Sequence, residues 1–341
     1  MSNDGFILVT GGAGYIGSHI VLELLKNSKK VIVFDNLISG SKIAMERVLE
    51  YTGHTIEFVE GDIRNKEDLA SVFSQWNISS VIHLAGLKSV SESVELPLSY
   101  YDTNVSGTLN LLRTMEEAEV RNLIFSSSAT VYGTPDELPV SEIAPLNRPL
   151  NPYGMSKLMV EEILVDLCKS NKNWSVGVLR YFNPVGAHPS GIIGEDPSGI
   201  PNNLFPYITQ TALQLRDKLQ IFGGDYPTVD GTGVRDYIHV VDLAVGHLSA
   251  LAFIESAEGH NVWNLGAGKG ISVLEAVREF IDSNNVDVPF EIVARRTGDV
   301  AESWADITKA KRELGWLPSL TLKDMVADAW NWQVKNPTGY Q

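Results

Sequence analysis

The feature that most constrains the fold is a glycine-rich turn near the start of the sequence, where an apolar run passes directly into a helical pattern. Phe6–Thr10 is a short apolar run typical of a buried strand, and the residues that follow read G-G-A-G-Y-I-G. Apolar residues then recur with helical spacing over residues 16–26. Gly11 permits the tight turn, Gly14 lets a bound group approach the backbone, and Gly17 lets the helix pack closely on the strand. This order predicts the first unit of a parallel α/β sheet.

The remainder of the first half alternates in the same way between apolar runs and helical patterns. This alternation predicts a Rossmann-type doubly wound α/β fold, a parallel sheet joined by right-handed crossover helices. After residue 181 the sequence is richer in glycine, proline and polar residues, so we expect a domain over 1–181 and a smaller mixed α/β lobe over 182–341. Segments near 236–267 are expected to return to the first domain. Further strands are predicted at 31–34, 56–60, 81–84, 123–126, 176–181, 236–241 and 262–265, helices at 69–76, 98–118, 153–169, 201–215 and 272–281, and a loop at 183–199.

Charge and cysteine content exclude several classes of function. The net charge of -15 at pH 7 argues against nonspecific binding to nucleic acid and against anionic membrane surfaces. No apolar stretch approaches the roughly 20 residues of a membrane span, no signal peptide is visible, and no metal site is predicted. The one cysteine, Cys168, is predicted to be a buried helix residue and can form no intrachain disulfide, which fits a cytoplasmic location. An anionic ligand would have to be bound by backbone N–H groups and a few Arg or Lys residues.

Charged residues follow the predicted strands at the edge of the sheet where a ligand would lie. Asp35 ends the second strand, 18 residues after Gly17, where an acid suits the ribose hydroxyls of NAD and would repel the 2′-phosphate of NADP. With the glycine turn, Asp35 therefore predicts NAD as the cofactor. Asp62 follows the third strand and could accept a hydrogen bond from adenine, although an ordinary turn aspartate is the simpler account. Lys88 follows the fourth strand and could reach a phosphate, or be a surface lysine.

A serine, a tyrosine and a lysine form the candidate catalytic group. Tyr153 and Lys157 are four residues apart on a predicted helix, so they share one face. A free tyrosine has a pKa of about 10 and is a poor base at neutral pH, and a nearby ammonium is expected to lower that pKa by stabilising the phenolate. Ser128 closes the fifth strand, where its hydroxyl could donate to a substrate oxygen or make ordinary strand-end hydrogen bonds. Together the three predict transfer of a proton and a hydride at a carbinol.

The order of these motifs resembles that of the extended short-chain dehydrogenase/reductase family, and within it the branch of the UDP-glucose 4-epimerases, also called UDP-galactose 4-epimerases. The resemblance runs from residue 8 to beyond residue 306, and its most specific segments read R-Y-F-N-P-V-G-A-H-P-S-G and G-T-G-V-R-D-Y-I-H-V. It implies tightly bound NAD, a UDP-sugar substrate and inversion at C4 of the sugar through a 4-keto intermediate.

The resemblance also implies the residues of two binding sites. Phe182 would lie near the nicotinamide, Arg235 and Arg296 would clamp the diphosphate, and Asp299 would hold the uridine ribose, which agrees with the fit of arginine to phosphate oxygens. The residues implied to bind NAD are Gly11, Gly14, Tyr15, Ile16, Gly17, Asp35, Asn36, Asp62, Ile63, Leu84, Ala85, Gly86, Lys88, Asn104, Ser126, Tyr153, Lys157 and Phe182. Those implied to bind the UDP-sugar are Lys88, Ser128, Tyr153, Asn183, Asn203, Leu204, Gln220, Ile221, Phe222, Arg235, Arg296, Asp299 and Ser303.

Two positions depart from the pattern of the family. Before Asn104 the family often has a second asparagine, and Thr103 stands there, for which we expect only a small change. Ser303 stands where many bacterial members carry a tyrosine beside the C2 substituent of the sugar. A small polar residue leaves volume for an acetamido group, which predicts that UDP-GlcNAc and UDP-GalNAc are also accepted. The alternative is that a nearby side chain refills the space.

Two other functions compete with this interpretation. A nucleotide-sugar 4,6-dehydratase would need an extra acid/base pair, Asp-Glu, where Ala129 and Thr130 stand here. A non-catalytic NAD-sensing regulator typically lacks the tyrosine or the lysine of the catalytic group, and both are present. The resemblance also suggests a homodimer formed by helices around 100–118 and 153–169, although their apolar stripes fit packing within one chain equally well.

Overall fold

The computed structural model describes residues 5–197, 199–296 and 299–341. The strands are β1 (Phe6–Thr10), β2 (Val31–Asp35), β3 (Glu57–Glu60), β4 (Ile78–His83), β5 (Asn122–Ser128), β6 (Ser175–Tyr181), β7 (Asn183–Val185), β8 (Leu219–Phe222), β9 (Val234–Arg235), β10 (Tyr237–His239), β11 (Gly259–Leu265), β12 (Ile271–Ser272), β13 (Phe290–Val293) and β14 (Glu302–Ser303). The helices are α1 (Tyr15–Lys26), α2 (Lys42–Thr52), α3 (Lys66–Gln75), α4 (Val90–Glu95), α5 (Pro97–Tyr101), α6 (Gly107–Glu117), α7 (Pro152–Ser170), α8 (Leu204–Ala212), α9 (Val240–Ile254), α10 (Val273–Asn284), α11 (Thr308–Leu314) and α12 (Leu322–Lys335).

A seven-stranded parallel sheet forms the centre of the protein, in the order β3-β2-β1-β4-β5-β6-β11. The chain builds the sheet outward from β1 to β3, then returns to the other side of β1 and continues outward from β4. The direction therefore reverses between β1 and β4, and ligands of doubly wound sheets bind beyond the carboxyl ends of the strands at such a point. This arrangement confirms the predicted Rossmann-type fold.

Apolar side chains cover both faces of this sheet. Ile7 and Val9 of β1 belong to a core cluster with α1, α2 and α9, whereas Leu8 between them belongs to a second cluster with α3, α6 and α7. Strands that are buried on both faces must be apolar at consecutive positions, which explains the continuous runs in the sequence. Cys168 of α7 is a buried free cysteine in the second cluster, as predicted.

The second half of the chain forms small sheets and contributes one strand to the large sheet. The small sheets pair β7 with β10, β9 with β12 and β14, and β8 with β13. They pack with α8, α10 and α12 around a third core cluster, and these strands and helices are called the small lobe below. Strand β11 pairs in parallel with β6, so the segment Gly259–Leu265 lies in the large sheet. Among the described helices, none combines the length and the apolar character needed to cross a membrane.

The helix predicted over 98–118 is interrupted. Helix α5 is followed by a π-helical turn, Asp102–Ser106, before α6 begins at Gly107. A π-turn inserts one residue into the helical ladder, and such turns are often found at functional sites. Here the turn contains Asn104, a buried polar residue that joins two elements of the site described below.

Three other predictions of local structure need correction. The segment 183–199 was expected to be a loop, but Asn183–Val185 is strand β7, because β10 supplies a parallel partner. Helix α2 was not predicted, although Ser41 caps its first turn and Gly53 ends it in the left-handed conformation. The helix predicted over 201–215 is shorter and spans Leu204–Ala212.

Candidate active site

A cavity of about 1110 Å³ lies at the carboxyl ends of the central strands. It brings together the glycine turn, the catalytic group and part of the predicted sugar site. The predicted residues that line it are Gly11, Gly14, Tyr15, Ile16, Gly17, Asp35, Asn36, Ile63, Leu84, Ala85, Gly86, Lys88, Ser126, Ser128, Tyr153, Lys157, Phe182, Asn183 and Asn203. The predicted residues outside its lining are Asp62, Asn104, Leu204, Gln220, Ile221, Phe222, Arg235, Arg296, Asp299 and Ser303.

The glycine turn has the geometry that a bound pyrophosphate requires. Gly11 has a φ of 72°, and a Cβ there would lie 2.7 Å from the Ala85 nitrogen. A Cβ on Gly17 would overlap the Gly11 carbonyl oxygen, so Gly17 is needed for packing. At Gly14 the protein leaves room, with no atom closer than 3.4 Å to a Cβ, so space for a ligand is the better reason for glycine there. No side chain caps α1, which leaves N–H groups of its first turn for an anion.

Asp35 is held rigidly beside this turn. Its carboxylate accepts hydrogen bonds from the Ala13 nitrogen at 2.9 Å and the Leu37 nitrogen at 2.8 Å. Burial raises the pKa of Asp35, and the two backbone hydrogen bonds oppose that shift. An acid in this position fits ribose hydroxyls and disfavours a 2′-phosphate. The residues present therefore fit NAD.

Asp62 is already engaged by protein groups. It accepts from Asn36 Nδ2 at 3.0 Å and pairs with Arg64 at 2.7 Å. The Arg64 guanidinium holds the pKa of the Asp62 carboxyl well below its usual range. Its neighbours Gly61 and Ile63 line the cavity, whereas Asp62 itself does not. A contact between Asp62 and adenine stays a prediction.

Asn104 connects the loop after β4 to helix α7. Its side chain accepts from the Leu87 nitrogen at 2.8 Å and donates to the Leu87 oxygen at 3.0 Å and to Ser156 Oγ at 2.9 Å. The side chain is buried, and all three bonds are internal. Asn104 therefore fixes the position of the loop that carries Gly86 and Lys88 relative to α7.

Ser128, Tyr153 and Lys157 meet at the wall of the cavity. Lys157 Nζ donates to the Ser126 carbonyl oxygen at 2.8 Å and lies 5.9 Å from the centre of the Tyr153 ring. Burial lowers the pKa of Lys157 to about 8, and the nearby Glu161 carboxylate opposes that shift. The Ser128 hydroxyl accepts from the Thr130 hydroxyl at 3.0 Å, which fixes its orientation.

The expected lowering of the Tyr153 pKa is wrong for the protein alone. Burial raises the pKa of Tyr153, and a hydrogen bond with Ser128 only partly opposes this. Loss of hydration disfavours the phenolate. The Lys157 ammonium donates a hydrogen bond to the Ser126 carbonyl oxygen. A positive charge placed beside the phenol would act against this shift, because it would stabilise the phenolate.

Sequence reasoning missed a buried polar network behind the catalytic group. Glu161, one turn after Lys157 on α7, forms an ion pair with Arg180 of β6 at 2.6 Å and accepts from the Ser127 hydroxyl. Arg180 also donates to the Tyr132 hydroxyl at 3.0 Å. A single arginine in an apolar strand, with a glutamate on a predicted helix, was the only signal of such a pair in the sequence.

The predicted residues of the diphosphate and uridine site form a second group in the small lobe. Arg235 lies 3.2 Å from the Asp299 carboxylate, and the Arg296 guanidinium lies 4.0 Å from the centre of the Phe222 ring. Ser303 pairs with Arg235 across β14 and β9. This group contains the cationic side chains that an anionic ligand needs in an acidic protein.

Backbone hydrogen bonds join this second group to the cavity. The Asn183 nitrogen donates to the Asp236 oxygen at 2.9 Å, and the Asp236 nitrogen donates to the Ser303 oxygen at 3.1 Å. Ile221 is buried in the core of the lobe, so only its backbone is available to a ligand.

Asn203 precedes α8, and its side-chain amide donates to the Glu195 carboxylate at 2.6 Å. No cluster that could hold a metal ion is found in the described part of the chain.

Comparisons with known proteins agree with this geometry. Residues 8–329 match the family model described as GDP-mannose 4,6 dehydratase. The chain is 54% identical to the UDP-glucose 4-epimerase of Haemophilus influenzae over 335 residues. The matched region covers 98% of this chain and 99% of that relative. The structure of the UDP-glucose 4-epimerase of Bifidobacterium longum in complex with NAD+ and UDP is similar, with a TM-score of 0.95 and 50% identity over 98% of this chain and 99% of that one. The structure of the UDP-glucose 4-epimerase of Stenotrophomonas maltophila with bound NAD and formylated UDP-arabinopyranose is also similar. Its TM-score is 0.95, with 48% identity over 98% of this chain and 99% of that one.

Proposed function

The chain belongs to the family whose model it matches and, within it, to the UDP-glucose 4-epimerases, and from this we infer that it is an isomerase that interconverts UDP-glucose and UDP-galactose with NAD as cofactor. The observation that carries this inference is the meeting of Ser128, Tyr153 and Lys157 in one cavity with the glycine turn. Groups that move a proton thus lie beside groups that fit a dinucleotide.

The catalytic group can move a proton at C4 of the sugar. When bound, oxidised NAD supplies a hydride acceptor and a positive charge beside the phenol. Tyr153 as the phenolate would take the proton of the 4-hydroxyl and become a neutral phenol, and the C4 hydrogen would pass as hydride to the bound oxidised cofactor, leaving a 4-keto sugar whose oxygen Ser128 would hold. Once the keto sugar has turned over, the hydride would return from the reduced cofactor to the opposite face of the sugar, and the Tyr153 phenol would give its proton back to the C4 oxygen. The net redox change is zero, so the cofactor acts as a prosthetic group.

The alternative functions receive no support from the site. A 4,6-dehydratase needs an additional acid and base after Ser128, and Ala129 and Thr130 carry neither. The Thr130 hydroxyl and nitrogen instead hold Ser128 Oγ at 3.0 and 3.2 Å. The curated relatives at 50–55% identity are epimerases, although the matched family model takes its description from a dehydratase. A regulator without catalysis would have no need for both Tyr153 and Lys157.

The roles of the individual residues are part of this proposal. The glycine turn, Asp35 and Lys88 hold the NAD phosphates and ribose, and Phe182 lies beside the nicotinamide. Asn183 and Asn203 hold the sugar from the cavity, and the group of Arg235, Arg296 and Asp299 in the small lobe binds the UDP moiety. What supports the UDP assignments is that backbone hydrogen bonds join Asn183, which lines the cavity, through Asp236 to Ser303, the strand partner of Arg235.

The experiment that tests the proposed function is an assay of four UDP-sugars, UDP-glucose, UDP-galactose, UDP-GlcNAc and UDP-GalNAc, on purified protein without added NAD. Conversion of UDP-galactose to UDP-glucose is expected, because the prosthetic cofactor should co-purify. The absence of conversion both without and with added NAD would overturn the assignment.

We further propose that Ser303 allows the acetylated sugars to react. Ser303 is half-buried beside Arg235, and its side chain is smaller than the tyrosine that many bacterial members carry at the aligned position. Ser303→Tyr is expected to lower kcat/KM for UDP-GalNAc by about 10-fold or more, because overlap with one added group is worth that much in a shaped pocket. The rate on UDP-galactose in the same variant is the control and should change little. A wild type that does not turn over UDP-GalNAc would end this proposal.

A homodimer formed through the helices around 100–118 and 153–169 is also proposed, and the exposed apolar residues next to these helices support it. Helices α4 and α5 both pack on α7, and they and the residue between them expose Val94, Leu96 and Leu98, the last 82% exposed. A cluster of exposed apolar side chains marks an interaction surface. Leu98→Asp should convert the dimer to a monomer in sedimentation equilibrium, while Leu215→Asp, at an exposed leucine after α8, should not. A monomeric wild type would contradict the proposal.

We also propose a cytosolic location. The single cysteine is buried and free, as suits a reducing compartment. Cell fractionation tests this, and recovery of the protein in an exported fraction would contradict it.

A further inference from the structure

The loop 186–197, which follows β7, forms one wall of the cavity. Gly194, Glu195 and Asp196 line the cavity from this loop, and Tyr340, which follows α12 in the chain, lines it beside them. None of these residues belongs to the glycine turn, the catalytic group or the UDP-binding group. Their contacts show how this wall is held.

The wall spans the crevice between the two halves of the sheet. At one end, the Tyr15 hydroxyl of the glycine turn donates to the Gly186 oxygen at 2.7 Å. At the other end, the Glu195 carboxylate lies 3.5 Å from Lys88 Nζ, in the loop after β4. Tyr15 and Lys88 follow β1 and β4, the two strands between which the direction of the sheet reverses. A dinucleotide bound at this point would therefore contact the loop 186–197, which lines the same cavity.

Tyr340 fastens the loop through three hydrogen bonds. Its hydroxyl donates to the Gly194 oxygen at 3.1 Å and accepts from the Gly194 nitrogen at 3.0 Å. Its backbone nitrogen donates to Asp196 Oδ2 at 2.8 Å. The two residues that flank Glu195 are thus bound to one distant residue, and Glu195 is held where it reaches both Lys88 and Asn203.

Side chains of two other elements support Tyr340. The centres of the Trp332 ring, on α12, and the Tyr340 ring lie 4.7 Å apart. Trp332 Nε1 donates to the backbone carbonyl oxygen of Glu195 at 3.2 Å. The Arg47 guanidinium of α2 lies 5.3 Å from the centre of the Tyr340 ring and donates to Asn336 Oδ1 at 2.7 Å. The fastening therefore connects the loop to the large-sheet domain as well as to the small lobe.

We propose that Tyr340 and Asp196 are positioning residues that hold the loop 186–197 over the bound dinucleotide and so retain NAD between catalytic cycles. The proposal rests on the proposed function, in which the cofactor never leaves during turnover. NAD can leave the crevice only when the loop moves away, and the loop moves only when the bonds from Tyr340 to Gly194 and Asp196 break. The strength of these bonds thus sets the rate of NAD release.

Two substitutions weaken this fastening in different ways. Gly339 has a φ of 76°, and a Cβ there would overlap the Asp196 carboxylate, so Gly339→Ala must push Asp196 and Tyr340 apart. Tyr340→Phe removes both bonds to Gly194 and keeps the ring between Trp332 and Arg47. Gly315→Ala is the matched control, since Gly315 has a φ of 62° and a Cβ there meets nothing within 4 Å. Both alanines have the same unfavourable backbone conformation, and only one touches the loop fastening.

The experiment measures bound NAD rather than activity. NAD per chain is determined in the four purified proteins after denaturation, and NAD release is followed after passage over a desalting column. Gly339→Ala and Tyr340→Phe should release NAD about tenfold faster than the wild type, as expected for the loss of two hydrogen bonds, while Gly315→Ala releases it at the wild-type rate. The activity of the two variants should be restored by added NAD.

The outcomes separate this inference from the proposed function. A wild type that binds no NAD would overturn the proposed function. A wild type with bound NAD, together with a Tyr340→Phe variant that folds and releases NAD at the wild-type rate, would overturn the role of the loop alone. Thermal melting checks folding, and Tyr340→Phe decides the question if Gly339→Ala does not fold.

Discussion

Tyr153→Phe is expected to lower kcat for the interconversion of UDP-galactose and UDP-glucose by about 10³-fold, while NAD stays bound. Loss of a general acid/base costs about 10²–10⁴-fold in rate, and the Tyr153 hydroxyl is proposed to serve in both the oxidation and the reduction. The phenyl ring keeps the shape of the cavity wall, so cofactor content should match that of the wild type. Steady-state rates and NAD content on the same preparations measure both.

Tyr181→Phe is the matched control for this prediction. Tyr181 also lines the cavity, but its hydroxyl is hydrogen-bonded to the buried ring of His247. The Tyr181 hydroxyl thus has a partner inside the protein, and Tyr181 has no lysine four residues later on the same helix face as Tyr153 has. A loss below about 10-fold is expected for Tyr181→Phe. The reverse order of the two losses would contradict the assignment of the base.

Glu161→Ala is expected to lower the free energy of unfolding by about 3–5 kcal/mol, because it leaves the Arg180 guanidinium buried without its partner. Glu161 and Arg180 are 2% and 3% exposed, so the unpaired guanidinium would lie away from bulk water. Chemical denaturation followed by far-UV circular dichroism measures the change. An added Arg180→Met should recover part of the loss, since the unpaired charge is then gone.

Glu162→Ala provides the control on the same helix. Glu162 is adjacent in sequence and exposed, and a surface substitution of this kind changes stability by about 0.5 kcal/mol or less. Equal effects of Glu161→Ala and Glu162→Ala would show that the ion pair with Arg180 contributes nothing specific to stability.

The sheet could be predicted from the sequence because each of its strands contains a short apolar run, and these runs alternate with turn residues or helical patterns. Phe6–Thr10 and Val31–Asp35 illustrate this, since both are buried on two faces. The strands of the small lobe could not be predicted in the same way. Strands β9, β12 and β14 have two residues each, and their pairing depends on partners that are distant in the sequence.

The candidate site was predicted to the extent that its residues form local motifs. The glycine turn, Asp35 and the pair of Tyr153 and Lys157 each have a spacing with a physical reason. The wall formed by Glu195 and Tyr340 has none, because a contact between residues 194 and 340 leaves no periodic pattern. The predicted direction of the Tyr153 pKa shift was wrong. The spacing of Tyr153 and Lys157 indicates a nearby positive charge, but it does not indicate how deeply Tyr153 is buried.

The central claim is that hydrogen leaves C4 of the sugar as hydride and returns to the same carbon of the same substrate. The measurement that tests it most directly uses UDP-galactose with deuterium at C4, incubated with purified protein in ordinary water without added NAD. Hydride held by the cofactor does not exchange with water, so the UDP-glucose formed should keep its deuterium at C4. UDP-glucose in which the deuterium has been replaced by solvent hydrogen would contradict the account.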